Sequence, residues 1–140
     1  MGYHTLSPEA LPATPDRPCV QRAVGDAAGL EQLAANVYEV EPGEQVPLAY
    51  HYHDHQEELF YVLSGILHVE TPEGTYEVGP DEVFVVEPDS PQRAYSPDSA
   101  TEPVRTFVVG APAVDDVHPY EDDDEGESES ESGDGGEKQR

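Results

Sequence analysis

Three of the chain's six histidines fall within five residues, as His51, His53 and His55, and Glu57 and Glu58 follow closely. In an extended strand residues i, i+2 and i+4 share a face, so the three imidazoles would project together, opposite Tyr50 and Tyr52. Imidazole nitrogens two residues apart form a natural pair of metal ligands, and a nearby carboxylate supplies a third donor that carries charge. Two histidines and one carboxylate leave open positions on a metal, which suits non-haem iron and related chemistry. A polar surface strand explains one histidine; three, with adjoining glutamates and an apolar segment behind them, point to a metal. The remaining histidines offer less. His68 reads as structural, and His4 and His118 lie in outlying arms. Cys19, the single cysteine, sits near prolines without a His–Asp context and is no candidate nucleophile.

Strands must hold this cluster. Strand-like runs occupy residues 37–41, 48–53, 59–63, 66–70, 75–78, 83–86, 93–95 and 104–109, with turn signals such as Pro42-Gly43, Pro72-Glu73-Gly74 and Pro88-Asp89 between them. Short strands with turns every ~8–12 residues predict an all-β sandwich or barrel. Ser64-Gly65 predicts a two-residue hairpin between the third and fourth runs. Phe60, Val62 and Phe84 would alternate into the core. Tyr50, Tyr61, Tyr76 and Tyr95 would pack there or line a pocket. Arg93 would meet an acidic partner or, less simply, an anionic substrate. The chain divides into an N-terminal arm at 1–32, with a short helical turn near 27–33, a β-barrel domain at 33–112, and an acidic low-complexity tail at 113–140. The tail's composition predicts disorder.

Charge narrows the partners. The chain has 31 acidic and 6 basic residues, for a net charge of −25, and the acidity extends well beyond the tail. Phosphates would be repelled, which argues against nucleic acid or an anionic membrane surface. No run approaches the ~20 apolar residues of a membrane span, and no secretory signal is visible. A single cysteine excludes an intrachain disulfide framework and fits a reducing cytoplasm. Like charges at this density oppose compaction, and about 1 M salt, with a Debye length of ~3 Å, removes most of that repulsion. A halophilic organism with a high-salt cytoplasm is the expectation, with unfolding measured against KCl as its check.

Residues 43–65 resemble the first signature of the cupin family: a glycine, a His-x-His pair, a glutamate and a second glycine. Gly43, His51, His53, Glu58 and Gly65 fill these positions, with four residues between His53 and Glu58 and six between Glu58 and Gly65. The second signature falls on residues 81–96. There the apolar run 83–86 fits, while Asp81, Glu87, Asp89, Gln92 and Ser96 stand where the family has glycine, proline, glycine, histidine and asparagine. The resemblance covers about half the chain. It implies a single cupin β-barrel, a double-stranded β-helix or jelly roll, with a divalent metal (Mn, Fe, Zn or Ni) inside. It implies His51, His53 and Glu58 as metal ligands and places Gln92 at the fourth ligand position; His55 and Glu57 fall outside the pattern. An amide oxygen is a weaker, neutral donor than imidazole. The implied function is metal binding with isomerisation or oxidation of a small molecule. The alternative is a non-enzymatic cupin that binds a sugar or other small ligand, with metal structural or absent. No separate general base is identifiable. The family often dimerises, so a homodimer is expected.

Overall fold

The computed structural model describes residues 2–121, so the expectation for residues 122–140 lies outside the described residues. One turn of 3-10 helix at Pro8–Ala10 precedes strand β1 (Val20–Arg22). Helix α1 (Val24–Ala28) then leads into β2 (Ala34–Val40). Next come β3 (His51–His53), β4 (Glu57–Ser64), β5 (Leu67–Thr71), β6 (Gly74–Val78), β7 (Val83–Val86) and β8 (Arg93–Tyr95). The last are β9 (Val104–Ala111) and β10 (Val117–Pro119). One antiparallel sheet has the order β1-β2-β9-β4-β7. Facing it are the pair β10-β3 and the trio β6-β5-β8, which the single bridges His51↔Gln92 and Gln45↔Tyr95 join into one layer.

Alternation explains the core. β9 buries every second residue from Val104 to Gly110. Phe60 and Val62 on one sheet meet Leu67, Val69 and Ala94 on the other, all at 0–1% exposure. Burial of each large apolar side chain contributes roughly 1.5–3 kcal/mol, and four of them, with Ala94, close the barrel's middle. Phe84 packs against this cluster, half-buried, with its ring 6.3 Å from that of Phe60.

The Ser64-Gly65 hairpin is corrected. β4 pairs with β7 and β9, whereas β5 pairs with β6 and β8, so the two-residue turn carries the chain from one sheet to the other. Both strands have a buried apolar face, and only opposed sheets let both faces meet. Gly65 makes the corner at φ 77, and a Cβ there would fall on the Pro103 carbonyl and 2.9 Å from Val104 Cα. The same geometry explains the irregular second signature. Gly43 and Gly65 have φ of 89 and 77, and Asp81 and Asp89 have φ of 67 and 64. The aspartates stand where the resembled pattern has glycine, and Asp is among the few other residues that enter the left-handed region. The backbone requirement persists where the glycines do not.

The segments flanking the barrel take part in it. β1 extends the larger sheet, Cys19 is 7% exposed within the core, and β10 pairs with β3 through Val117↔His53 and Pro119↔His51. The boundaries drawn at 32/33 and 112/113 therefore cut across strand pairing. These strands are three residues long, too short for periodicity to reveal. The outer face of β4 and β7 leaves Leu59, Tyr61, Leu63, Val83 and Val85 exposed. Among the described residues no helix is long and apolar enough to cross a membrane.

Candidate metal centre

His51 and His53 stand on alternate positions of β3, with ring centroids 5.1 Å apart. Glu58, near the start of β4, comes from the opposite sheet. One donor atom from each of the three lies within 4.8 Å of the others. Donors sharing one transition-metal ion at about 2.0–2.2 Å lie no more than about 4.4 Å apart, so this spacing is close to what one ion requires. Gln92 lies across from His51 in a mutual backbone bridge, with the Gln92 amide donating to the His51 carbonyl at 2.9 Å. The Gln92 side chain is 2% exposed. Its Nε2 donates to Glu58 Oε1 at 3.1 Å, while its Oε1 is buried with no hydrogen-bond partner. The four residues named from the sequence thus come together from both sheets.

The imidazoles are oriented from behind. His51 Nδ1 bonds the Ala49 carbonyl at 2.9 Å, and a carbonyl only accepts, so Nδ1 carries the proton. His53 Nδ1 donates to Asp116 Oδ1 at 2.8 Å. Each ring therefore keeps its Nε2 lone pair for a cation, the arrangement typical of metal-ligating histidines. Burial lowers the His51 pKa below the ordinary value, which keeps that lone pair free at neutral pH. Burial pushes the Glu58 carboxyl up to about 6, against the opposing pull of His53. Burial would also raise Asp116. However, the hydrogen bonds from His53 and from the amides of His55 and Gln56, at 2.7 and 3.0 Å, outweigh it and bring Asp116 down to about 2. The donor set therefore fits a divalent cation: two imidazoles whose Nδ1 atoms are already engaged, one carboxylate whose pKa is about 6, and a buried amide oxygen without a donor.

His55 does not share the face of His51 and His53. β3 ends at His53, and Asp116 captures the next two usable amides, which turns the chain and leaves His55 exposed. Glu57 is exposed as well. Arg93 is a structural ion pair: its Nε bonds Glu70 at 2.9 Å, its Nη1 bonds Gln45, and its guanidinium lies 4.3 Å from the Tyr95 ring centre. His118 is held on β10 by Asp54 at 2.6 Å and stacks on Tyr52.

A cavity of about 440 Å³ opens beside the four residues, with Val46, Leu48, Phe60 and Val117 among its apolar lining. None of Tyr50, Tyr61, Tyr76 and Tyr95 lines it; Tyr38 does, with Gln56 and Arg17. Burial pushes the Tyr38 hydroxyl up to about 12, and Gln21 Nε2 donates to it at 3.0 Å. Asp116, 63 residues from His53 in sequence, had no local signal. Arg17 had a faint one, as one of four arginines ahead of the acidic tail.

Removing the Asp116 carboxylate by Asp116→Ala leaves His53 Nδ1 and two backbone amides without their acceptor. Metal affinity is expected to fall about 10- to 100-fold. The metal-free chain should lose about 1–3 kcal/mol in urea unfolding at pH 7. Because the Asp116 pKa is depressed, that deficit should be complete above its ordinary value and disappear as pH falls through about 2.

The cupin domain family matches residues 36–110, over half of the chain and including all four residues. The chain belongs to the cupin family, and its two-layer barrel is the double-stranded β-helix. Among solved structures, a protein of Acidithiobacillus ferrooxidans with proposed sugar phosphate isomerase activity is 28% identical, with a TM-score of 0.59. That match covers 66% of this chain and 58% of the other, so this chain spans less than two thirds of that protein. A cupin sugar phosphate isomerase of Silicibacter pomeroyi DSS-3 is 24% identical, with a TM-score of 0.64 over 77% of this chain and 75% of its own. The polyketide cyclase RemF of Streptomyces resistomycificus is 21% identical, with a TM-score of 0.70 over 84% and 85%. The last two likenesses show the fold alone. Comparison with curated proteins finds no match.

Proposed function

We propose that this cupin holds one divalent cation on His51, His53, Glu58 and Gln92 and receives a small molecule in the adjoining cavity. The observation that carries this reading is the convergence of one donor atom each from His51, His53 and Glu58 within 4.8 Å, with Gln92 bonded to Glu58 and its own Oε1 buried without a partner. A divalent cation bound there supplies Lewis acidity toward a ligand oxygen or water. The chain's own residues do the rest. Ala49 and Asp116 fix the imidazoles, the apolar part of the lining packs the ligand, and Tyr38 keeps its proton at neutral pH and can donate a hydrogen bond to a ligand oxygen. Isomerisation or oxidation of a small molecule is the proposed chemistry. The likeness to a protein of proposed sugar phosphate isomerase activity favours the former.

A non-enzymatic binding role is the second reading, and one observation favours it. Among the described residues lining the cavity, no carboxylate or imidazole stands outside the ligand set to serve as a general base. A second copy covering the exposed apolar face of β4 and β7 belongs to either reading, and a solution mass of one chain removes it.

Elemental analysis of untagged protein purified in molar KCl without added metal tests the central claim. Near one equivalent of a single transition metal is expected. Protein that stays metal-free after incubation with Mn, Fe, Ni and Zn overturns the metal reading and leaves the binding role.

A further inference from the structure

Among the described residues, one lysine or arginine lines the cavity, Arg17, delivered by the N-terminal segment. Arg17 sits in a loop closed by the Ala13↔Arg22 bridge and by the Thr14 amide donating to the Gln21 carbonyl at 2.9 Å. That loop is anchored, because Cys19 is buried in the core and β1 continues into the larger sheet. Arg22 and Arg93 each pair with a glutamate. Arg17 has no ion-pair partner among the described residues, in a chain with 31 acidic side chains. Its Nη2 reaches the Val46 carbonyl at only 3.4 Å, and its Nε is buried with no hydrogen-bond partner.

A buried guanidinium donor without an acceptor is costly. Its planar fork matches the paired oxygens of a carboxylate or phosphate. Around it the cavity offers apolar walls and neutral groups such as Asn36, Tyr38 and Gln56. We propose that Arg17 makes this cavity selective for small anionic molecules, holding a carboxylate or phosphate group while the rest of the ligand extends toward His51, His53 and Glu58. The inference rests on the cavity being the ligand site, and it gives that ligand a charge. Arg93 cannot play this part, since it is neutralised by Glu70 and lies outside the cavity's lining.

The test uses the full chain, metal-free and metal-loaded, with two matched probe pairs: glycerol 3-phosphate against glycerol, and 3-phenylpropionate against 3-phenylpropanol. Calorimetry should show at least one anionic probe binding roughly tenfold or more tighter than its neutral partner, as a charged hydrogen bond allows. Arg17→Met should erase that preference and leave metal stoichiometry unchanged, and Arg17→Lys should restore part of it. The Arg17 Nε–H resonance, assigned through its own side-chain and backbone connectivities in the wild-type chain, should shift on binding, a readout that depends on no variant. The pair that discriminates identifies phosphate or carboxylate as the recognised group. Equal binding of anionic and neutral probes, a preference that survives Arg17→Met, or binding of no anionic probe overturns the proposal. Anion selectivity that depends on Arg17 in protein that never takes up metal supports it while removing the metal reading.

Discussion

Glu58→Gln is expected to weaken divalent-metal binding by about 100-fold or more, the upper end of what losing even a supporting residue behind a ligand costs. The same change should make the metal-free chain more stable above pH 6. Both effects follow from where the carboxylate sits. Burial raises its folded-state pKa from 4.5 to about 6. A raised pKa contributes stability that is fully present below the unfolded value and lost as pH rises through the folded one. The metal-free wild-type chain therefore gives up on the order of 2 kcal/mol between pH 4.5 and 6, at about 1.4 kcal/mol per unit. Glutamine carries no such liability, and its carbonyl can still accept from Gln92 Nε2. Urea unfolding with chelator present should find the two chains equal at pH 4 and the variant ahead at pH 8. Addition of Zn or Mn should reverse that order. A variant that binds metal as tightly as wild type would exclude Glu58 as a ligand. Metal uptake by the wild-type chain should also weaken below pH 6, as Glu58 takes up the proton the metal must displace.

Gly65→Ala is expected to destabilise the barrel by roughly 3 kcal/mol or more. Alanine at φ 77 costs about 1–2 kcal/mol by itself. The added Cβ would in addition meet the Pro103 carbonyl and approach Val104 Cα to 2.9 Å. Both belong to the backbone entering β9, which is flanked by β2 and β4, and Val104 is fully buried. Nothing flexible can give way. Gly29→Ala is the control: its φ is 73, yet nothing lies within 4 Å of a Cβ there. Its cost should stop at about 1–2 kcal/mol of conformational preference. Chemical unfolding of the two variants separates the steric contribution from the conformational one. Similar losses for both would mean that the sheet-to-sheet corner tolerates a side chain.

Local features were legible in the sequence. Alternating apolar residues and turn signals marked eight strand runs, because a strand's side-chain period is two and is visible within a few residues. The His51–His53 pair was visible because alternate residues of one strand share a face, while Glu58, on the opposite sheet, was marked only by the resemblance to the family's first signature. Register with the second signature placed Gln92 at the centre even though its type had changed. The left-handed backbone at Asp81 and Asp89 shows why that register survived, since the turns constrain φ rather than residue identity.

Pairing over long distances was not legible. Ser64-Gly65 carries the same local signal whether the next strand folds back beside β4 or crosses to the other sheet. The choice depends on β7 and β9 already flanking β4. Short β1 and β10 are held by neighbours rather than by their own pattern. Asp116 orients His53 from the far end of the chain, and Arg17 enters the cavity from the other end. Their roles arise from chain closure, in which charged groups become directional only once burial removes water from around them. Sequence determined which side chains could bind a metal, whereas tertiary packing decided which ring nitrogens are left free and which arginine lines the cavity without a carboxylate paired to it.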